Sequence, residues 1–267
     1  MQIRGRNFTI GADPEVFVSK DGQLQSAYGL VKGDKRIPYR VKKGAVQVDG
    51  MALEFNIEPA DDEQQFLDNL QTVQDELKSM IEGHEFIYDP TVIFPDEILD
   101  IMPQVALDLG CEPDFNGYTL AVNKKPRPKH GMRTAGGHVH IGGIDTDDPH
   151  SEHHMYLSGK LARIMDEEVG VYSILWDKDD ERRSLYGKAG CFRPKHYGME
   201  YRTMSNAWVF NKALASFVFQ GTRRAIEKMF NPKYEPNPDV QHIINTSDRK
   251  HSFFRNNELA DHVRFVA

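Results

Sequence analysis

Cysteine is nearly absent: Cys111 and Cys191 are the only two in 267 residues. That excludes a fold stapled by several disulfides. It also excludes a zinc site built on cysteine pairs, because the two lie too far apart in sequence to read as one. They are read as free thiols in a reducing cytoplasm. No stretch approaches the roughly 20 apolar residues of a membrane helix. No apolar run of signal-peptide length follows Met1-Gln2-Ile3-Arg4-Gly5-Arg6. An excess of positive charge is missing too: 33 Lys and Arg face 40 Asp and Glu, a net charge of −7. A protein that coats nucleic acid needs the opposite balance. The chain has no Gly-x-x-x-x-Gly-Lys-Ser/Thr loop, no dinucleotide fingerprint after its first strand and no Gly-x-Ser-x-Gly elbow. The expectation is a cytoplasmic protein with neither nucleic acid nor membrane as partner.

What is there is ordinary in bulk, with 39% hydrophobic and 27% charged residues. This supports a sizeable core in a single α+β domain over 1–267. Phe8-Thr9-Ile10 running into Gly11 to Val18 reads as a strand, with a hairpin turn at Lys20-Asp21-Gly22. Asp49-Gly50 reads as a turn and Met51 to Ile57 as a strand. In it Leu53, Phe55 and Ile57 face one way and Glu54, Asn56 and Glu58 the other. Asp61 to Gly83 carries apolar residues at three- and four-residue spacing, hence a helix. Helices are also expected over Ser151 to Val169 and Ala207 to Phe230, and strands over Glu85 to Ile93, Thr134 to Ile144 and Gly198 to Met204. The stretches 95–129 and 176–194 read as loops, the first with short elements. The polar residues 231–267 read as a tail or lid.

Four polar patterns stand out. Asp13 and Glu15 are two apart on a strand, so both carboxylates reach one face. Like charges that close raise each other's pKa unless a cation lies between them, and hard cations such as Mg²⁺ take such oxygens. Asp49, Glu54, Asn56 and Glu58 repeat the pattern on a second strand. In Gly136-Gly137-His138-Val139-His140-Ile141-Gly142-Gly143 two imidazoles share a strand face framed by glycines, which suits metal or phosphate. Arg182, Arg183, Lys188, Arg193 and Lys195 form the main basic cluster. It ends in Glu200-Tyr201-Arg202, and planar guanidinium groups match phosphate oxygens. Glu152, His153 and His154, at a helix start, read as surface residues. Each pattern also has a plain reading as a solvated strand face or loop. Their coincidence favours a site.

In this order the patterns resemble the catalytic framework of glutamine synthetase and γ-glutamylcysteine ligase. More closely, Gly11-Ala12-Asp13-Pro14-Glu15, Asp49-Gly50 with Glu54, Gly137-His138-Val139-His140, Tyr186-Gly187-Lys188-Ala189-Gly190 and Glu200-Tyr201-Arg202 are similar to the phage-type carboxylate–amine ligases. The resemblance spans roughly residues 8 to 210. It implies a glutamine-synthetase-like catalytic domain: a curved, mainly antiparallel sheet with an active-site face, covered by helices. The implied cofactors are ATP and Mg²⁺, with Mn²⁺ as a substitute, and the implied location is the host cytoplasm for a phage-encoded chain. Glu15 and Glu54, with Glu58 as a further ligand, would hold one metal. Asp13, His138 and Glu200 would hold the second. His140 and Lys188 would contact the nucleotide, and Arg202, Arg193 and Arg183 would neutralise the phosphoryl group in transfer. The family pattern more often has two Glu on the first strand, where this chain has Asp13 and Glu15.

The implied reaction joins a small-molecule or peptide carboxylate to an amine through an acyl phosphate. Two rivals remain at this stage. A metal-dependent hydrolase or oxygenase would use His138, His140 and a carboxylate, leaving the arginines and further acids idle. A non-catalytic nucleotide-binding relic of the ligase fold would bind without turnover. The sequence names neither substrate nor oligomeric state.

Overall fold

The computed structural model of the protein describes residues 8–108 and 113–267. Its strands are β1 (Thr9–Lys20), β2 (Gln23–Gln25), β3 (Tyr39–Val41), β4 (Gly44–Asp49), β5 (Ala52–Ile57), β6 (Glu85–Ile87), β7 (Thr91–Ile93), β8 (Phe115–Asn116), β9 (Met132–Thr134), β10 (Gly137–Gly142), β11 (Cys191–Lys195) and β12 (Gly198–Tyr201). Among the described residues ten of them make one sheet in the order β3-β4-β5-β1-β10-β12-β11-β8, with β2 and β6 also paired to β1. β7 and β9 form a separate ribbon. These pairings are antiparallel.

The sheet has one apolar and one polar face, and period-two alternation writes both into the sequence. Ile10, Ala12, Val16 and Val18 of β1 join Val46 of β4, Leu53, Phe55 and Ile57 of β5, Val139 and Ile141 of β10, Phe192 of β11 and Met199 and Tyr201 of β12 in one buried cluster. The residues between them are Asp13, Glu15, Gln47, Asp49, Glu54, His138, His140, Arg193, Lys195 and Glu200. The polar face is therefore the complement of the core face.

Helices cover the apolar side: α1 (Glu63–Met80), α4 (Glu152–Met165), α5 (Val171–Trp176) and α7 (Lys212–Met229), with α8 (Val240–Thr246) and α9 (Glu258–Val266) behind them. In α1 the residues Phe66, Leu70, Val73 and Leu77 are buried. Asp62 accepts the Gln65 N–H, and the Gln65 side chain accepts the Asp61 N–H, so the first turn is capped reciprocally. Short helices α2 (Asp96–Leu99) and α3 (Gln104–Leu107) sit at the other side. Phe17, Met51, Ala52, Phe94, Leu99, Ala106 and Ala135 make a second, smaller core there.

Several expectations are corrected. The single strand over Glu85 to Ile93 is two, β6 and β7, broken before Pro90 and sent to different partners. The loop expected over 176–194 contains α6 (Asp180–Leu185), capped by Asp179 accepting from the Arg182 N–H, and most of β11. The helix expected to end at Val169 passes through a π-turn, Asp166–Gly170, into α5. The 207–230 helix starts at Lys212, after a 3₁₀ turn at Asn206–Trp208. Residues 231–267 are no loose tail: Val240, Ile243, Ile244, Phe254, Ala260 and Val263 are buried in the main core. His154 is not a surface residue but buried, with its Nε2 2.9 Å from the Gly198 carbonyl oxygen. Cys191 is buried, and burial pushes its thiol pKa up. Cys111 lies outside the described residues. No helix among those described is long and apolar enough to cross a membrane.

Candidate active site

The polar face of the sheet floors a cavity of about 660 Å³. β1 supplies Asp13 and Glu15, β4 Asp49, β5 Glu54, β10 His138, and β11 Arg193 and Lys195, while Arg202 follows β12. Lys35, Asp108, Asp114, Arg133, Arg182 and Tyr186 complete the charged and polar wall.

Strand register brings these residues together. Asp13 pairs with His138 across β1 and β10, His140 with Glu200 across β10 and β12, and Glu200 with Arg193 across β12 and β11. On the other side Glu15 pairs with Glu54, and Glu54 with Gln47. Two acidic groups result, both hinged on β1. In the first, ligand atoms of Asp13, His140 and Glu200 lie within 4.8 Å of one another. In the second, those of Glu15, Asp49 and Glu54 do. His138 borders the first, with Nδ1 3.2 Å from Asp13 Oδ1 and 3.5 Å from Glu200 Oε1. His140 Nε2 is 2.9 Å from Asp13 Oδ2, and its Nδ1 meets the Tyr197 hydroxyl.

Charge explains how so many acids coexist. Burial works to raise the Glu200 pKa, but Arg202, His140, His138 and Arg193 outweigh it and hold the carboxyl well below its usual range. Arg202 Nη1 contacts Glu200 Oε1 directly, Arg193 Nη1 lies 3.4 Å and Lys195 Nζ 3.0 Å from Oε2. Asp13 is likewise lowered, its burial overcome by His140 and His138. The second group is compensated less, by Lys35, whose Nζ is 2.7 Å from Asp49 Oδ1, and by Arg202 acting on Glu15. Burial and the charge of Asp49 push Glu15 up to about 7, and burial with Asp13, Glu15 and Asp49 raises Glu54 well above its ordinary value. His138 is lowered by burial and by Arg202, toward the neutral form that can coordinate a metal.

The residues fit metal ions. Asp13 Oδ1 and His140 Nε2 are buried, yet neither makes a properly directed hydrogen bond. Buried polar atoms rarely go unpartnered unless something else takes that place. The second group is all carboxylate, the donor set of a hard divalent cation.

Gly136 serves both groups. Its N–H donates to Glu15 Oε2 at 2.7 Å, and a Cβ there would sit 2.2 Å from His138 Nε2. Arg182 is buried below the cavity wall and donates to the carbonyls of Ala135, Thr203 and Met204. It ties the start of β10 to the segment after β12.

The expected site residues Asp13, Glu15, Glu54, His138, His140, Glu200, Arg193 and Arg202 converge here. Three others do not. Arg183 is buried on α6, 3.2 Å from Asp177 Oδ2 and 3.1 Å from Ser173 Oγ, and does not line the cavity. On a helix, the residue next to Arg182 points elsewhere. Glu58 is exposed beyond the end of β5, and its place beside Glu15 and Glu54 is taken by Asp49. Lys188 is exposed and outside the cavity lining. Asp49 was visible in the sequence as a turn residue on the acidic strand face. Lys35 and Asp114 carried no sequence signal.

Residues 127–243 match the family described as phage phiEco32-like COOH.NH2 ligase-type 2. That span holds β10, β11 and β12 with His138, His140, Arg193, Glu200 and Arg202, whereas Asp13, Glu15, Asp49 and Glu54 precede it. No curated protein matches the chain.

Proposed function

We propose, from the premise that residues 127–243 belong to the phage-type carboxylate–amine ligase family, that the protein joins a carboxylate to an amine at the expense of ATP. The observation that carries the reading is the convergence, on one sheet face, of two acidic groups beside Arg193, Lys195 and Arg202. The sheet is then a glutamine-synthetase-like framework.

A carboxylate is a poor electrophile, since its charge repels a nucleophile and its oxide is a bad leaving group. Moving the ATP γ-phosphoryl group onto it gives an acyl phosphate, which an amine can attack with loss of phosphate. Phosphoryl transfer needs alignment and compensation of charge more than covalent help. Asp13, His140 and Glu200, with His138, would hold one Mg²⁺, and Glu15, Asp49 and Glu54 a second. A divalent ion held at either group would supply positive charge to offset the charge that develops in transfer. Arg202 stays fully charged: burial would lower its pKa, but Glu200, Asp13 and Glu15 raise it further. It and Arg193 present guanidinium groups to the phosphoryl oxygens, where fixed donors contribute most. Tyr197 holds the His140 ring from its far side.

The test is incubation with ATP, Mg²⁺ and panels of carboxylates and amines, read by mass spectrometry. A condensed product with ADP and phosphate is expected. AMP and pyrophosphate would mean an acyl adenylate and overturn the mechanism. Tightly bound transition metal with ATP-independent turnover would favour a hydrolase or oxygenase instead.

A further inference from the structure

One guanidinium in the cavity wall is answered by no carboxylate. Arg133 lies on β9 and lines the cavity half-buried. Its Nη1 donates to the Met132 carbonyl at 3.0 Å and its Nη2 to the Leu107 carbonyl at 3.1 Å. These bonds hold the group in place without neutralising it. Among the described residues no carboxylate ion-pairs with it. Asp108, the residue after Leu107, accepts instead from the Gln104 side chain at 2.7 Å. Burial lowers the Arg133 pKa, and only Tyr186 works against that. Other cations of the wall are committed: Arg193, Lys195 and Arg202 to Glu200, and Lys35 to Asp49. A charge half withdrawn from water without a counter-ion is stabilised by an anion that reaches it. A guanidinium has five N–H groups, so donors are left over to bind one.

The position of Arg133 indicates which anion. Asp13, Glu15 and Phe17 follow one another along one face of β1. Past the acidic groups the lining turns apolar, with Phe17, Met51, Ala52 and Ala106. α3, which carries Ala106, lies over the β4–β5 turn: a Cβ on Gly50 would stand 3.2 Å from the Ala106 carbonyl oxygen. Arg133 is bonded to Leu107 at the end of that helix. Three residues on from Arg133, the Gly136 N–H donates to Glu15. The backbones at 133 and 136 are therefore at most about 11 Å apart. The basic residues suited to polyphosphate stand elsewhere. Arg193 and Lys195 are on β11, and β10 and β12 separate that strand from β1. A short hydrocarbon chain laid over the apolar lining would join the acidic groups to Arg133. We propose that Arg133 determines the class of carboxylate substrate by binding a second carboxylate, so that the substrate is a dicarboxylate with a short aliphatic spacer. The inference rests on the reading above, in which the first carboxylate is activated beside the acidic groups.

The experiment is ligand-observed nuclear magnetic resonance titration with succinate, glutarate and adipate, with the half-amide of each, and with monocarboxylates of equal length. It is run with and without Mg²⁺ and a nonhydrolysable ATP analogue. A half-amide keeps the length and loses the second charge. For at least one spacer the parent should prefer the dicarboxylate by about ten- to a hundredfold, the worth of a hydrogen-bonded charge pair. Arg133→Gln and Arg133→Met should abolish that preference and leave monocarboxylate affinity as in the parent. Arg133→Lys should keep part of it. An arginine that only ties β9 to α3 would, when replaced, weaken all three ligand types alike or none, and either result overturns the proposal. So does equal affinity of the parent for di- and monocarboxylates at every length, or no dicarboxylate binding at all, a comparison that needs no variant to fold. Loss of analogue affinity in Arg133→Gln with the dicarboxylate preference intact would place a nucleotide phosphate on Arg133 and overturn it too. An Arg133-dependent preference in a protein that binds no nucleotide would support the role of Arg133 and sink the ATP-dependent reading. Nucleotide binding without any such preference would do the reverse.

Discussion

Arg202 is the residue on which most of the site's charge converges. Its Nη1 touches Glu200 and lies 3.4 Å from His138 Nδ1, and its backbone N–H donates to the Cys191 carbonyl at 2.8 Å. Arg202→Ala therefore does two things. On the proposed mechanism it removes a guanidinium from the phosphoryl path, which should cost on the order of 10²–10³ in rate. It also leaves Glu200, which is fully buried, with only part of its compensation. Breaking a buried pair from one side costs about 3–5 kcal/mol. Arg193 and Lys195 remain beside Glu200, so a loss of about 2 kcal/mol is the expectation for this variant. Arg202→Lys keeps the charge without the planar fork and should recover stability more than rate. Urea denaturation and ATP turnover, measured together, check both halves. Parental turnover in Arg202→Ala would remove Arg202 from the mechanism.

Most of the site was legible at this scale because alternation alone separates Asp13, Glu15, Glu54, His138, His140, Glu200 and Arg202 from the core residues between them. What alternation cannot say is which strands lie side by side. Asp49 displaces Glu58 because β4 runs back along β5 and ends beside it, a fact of register rather than pattern. Arg183 and Arg182 looked alike in a basic run. Only the unforeseen helix α6 separates one that faces Asp177 from one that braces the cavity wall.

The element that departs furthest from regularity is the helix carrying Asp166. The π-turn at Asp166–Gly170 lies between α4 and α5, and such turns leave no periodic signature for a sequence reading to find. Asp166 is fully buried there. Its Oδ1 accepts from the Tyr201 hydroxyl at 2.6 Å and its Oδ2 from Tyr118 at 2.9 Å. Burial raises its pKa, and the hydrogen bonds from Tyr201, the Gly190 N–H, Tyr118 and Thr203 offset part of that, leaving it at about 7. The sign follows from linkage. The folded state holds this proton up to about pH 7, whereas the unfolded chain releases it near 3.8. The Asp166 contribution is thus whole below pH 3.8 and is lost as pH rises through 7. Asp166→Asn keeps most acceptor bonds and cannot ionise. Relative to the parent it should gain stability between pH 5 and 7, at up to about 1.4 kcal/mol per pH unit. Urea midpoints for both proteins across that range check it. A difference that does not change with pH would mean that Asp166 does not titrate there.

At the scale of the whole molecule, the segment 231–267 is structural. It places Val240, Ile243, Ile244, Phe254, Ala260 and Val263 in the main core. Fully burying a large aliphatic or aromatic side chain contributes about 1.5–3 kcal/mol. The sum rivals the 5–15 kcal/mol by which a typical domain is stable. A chain ending at residue 230 should lose its cooperative unfolding transition, as followed by circular dichroism on heating. A sharp transition near the parental temperature would show the segment to be dispensable. The sequence hid this role because its apolar residues are spread among Asn, Pro and charged residues with no long period.

β1 also sets a schedule for synthesis. Its partners β2 and β5 follow soon after it, but β10, which closes its other edge, ends at Gly142. At about 5–20 residues per second, the ribosome needs on the order of ten seconds to cover that distance. Throughout that interval the strand that carries Asp13 and Glu15 shows one row of unpaired backbone groups, open to pairing with another chain. Two adjacent carboxylates on such an edge repel a second copy of themselves. The same acids that would later gather metal thus also guard the newborn strand against its neighbours on the polysome.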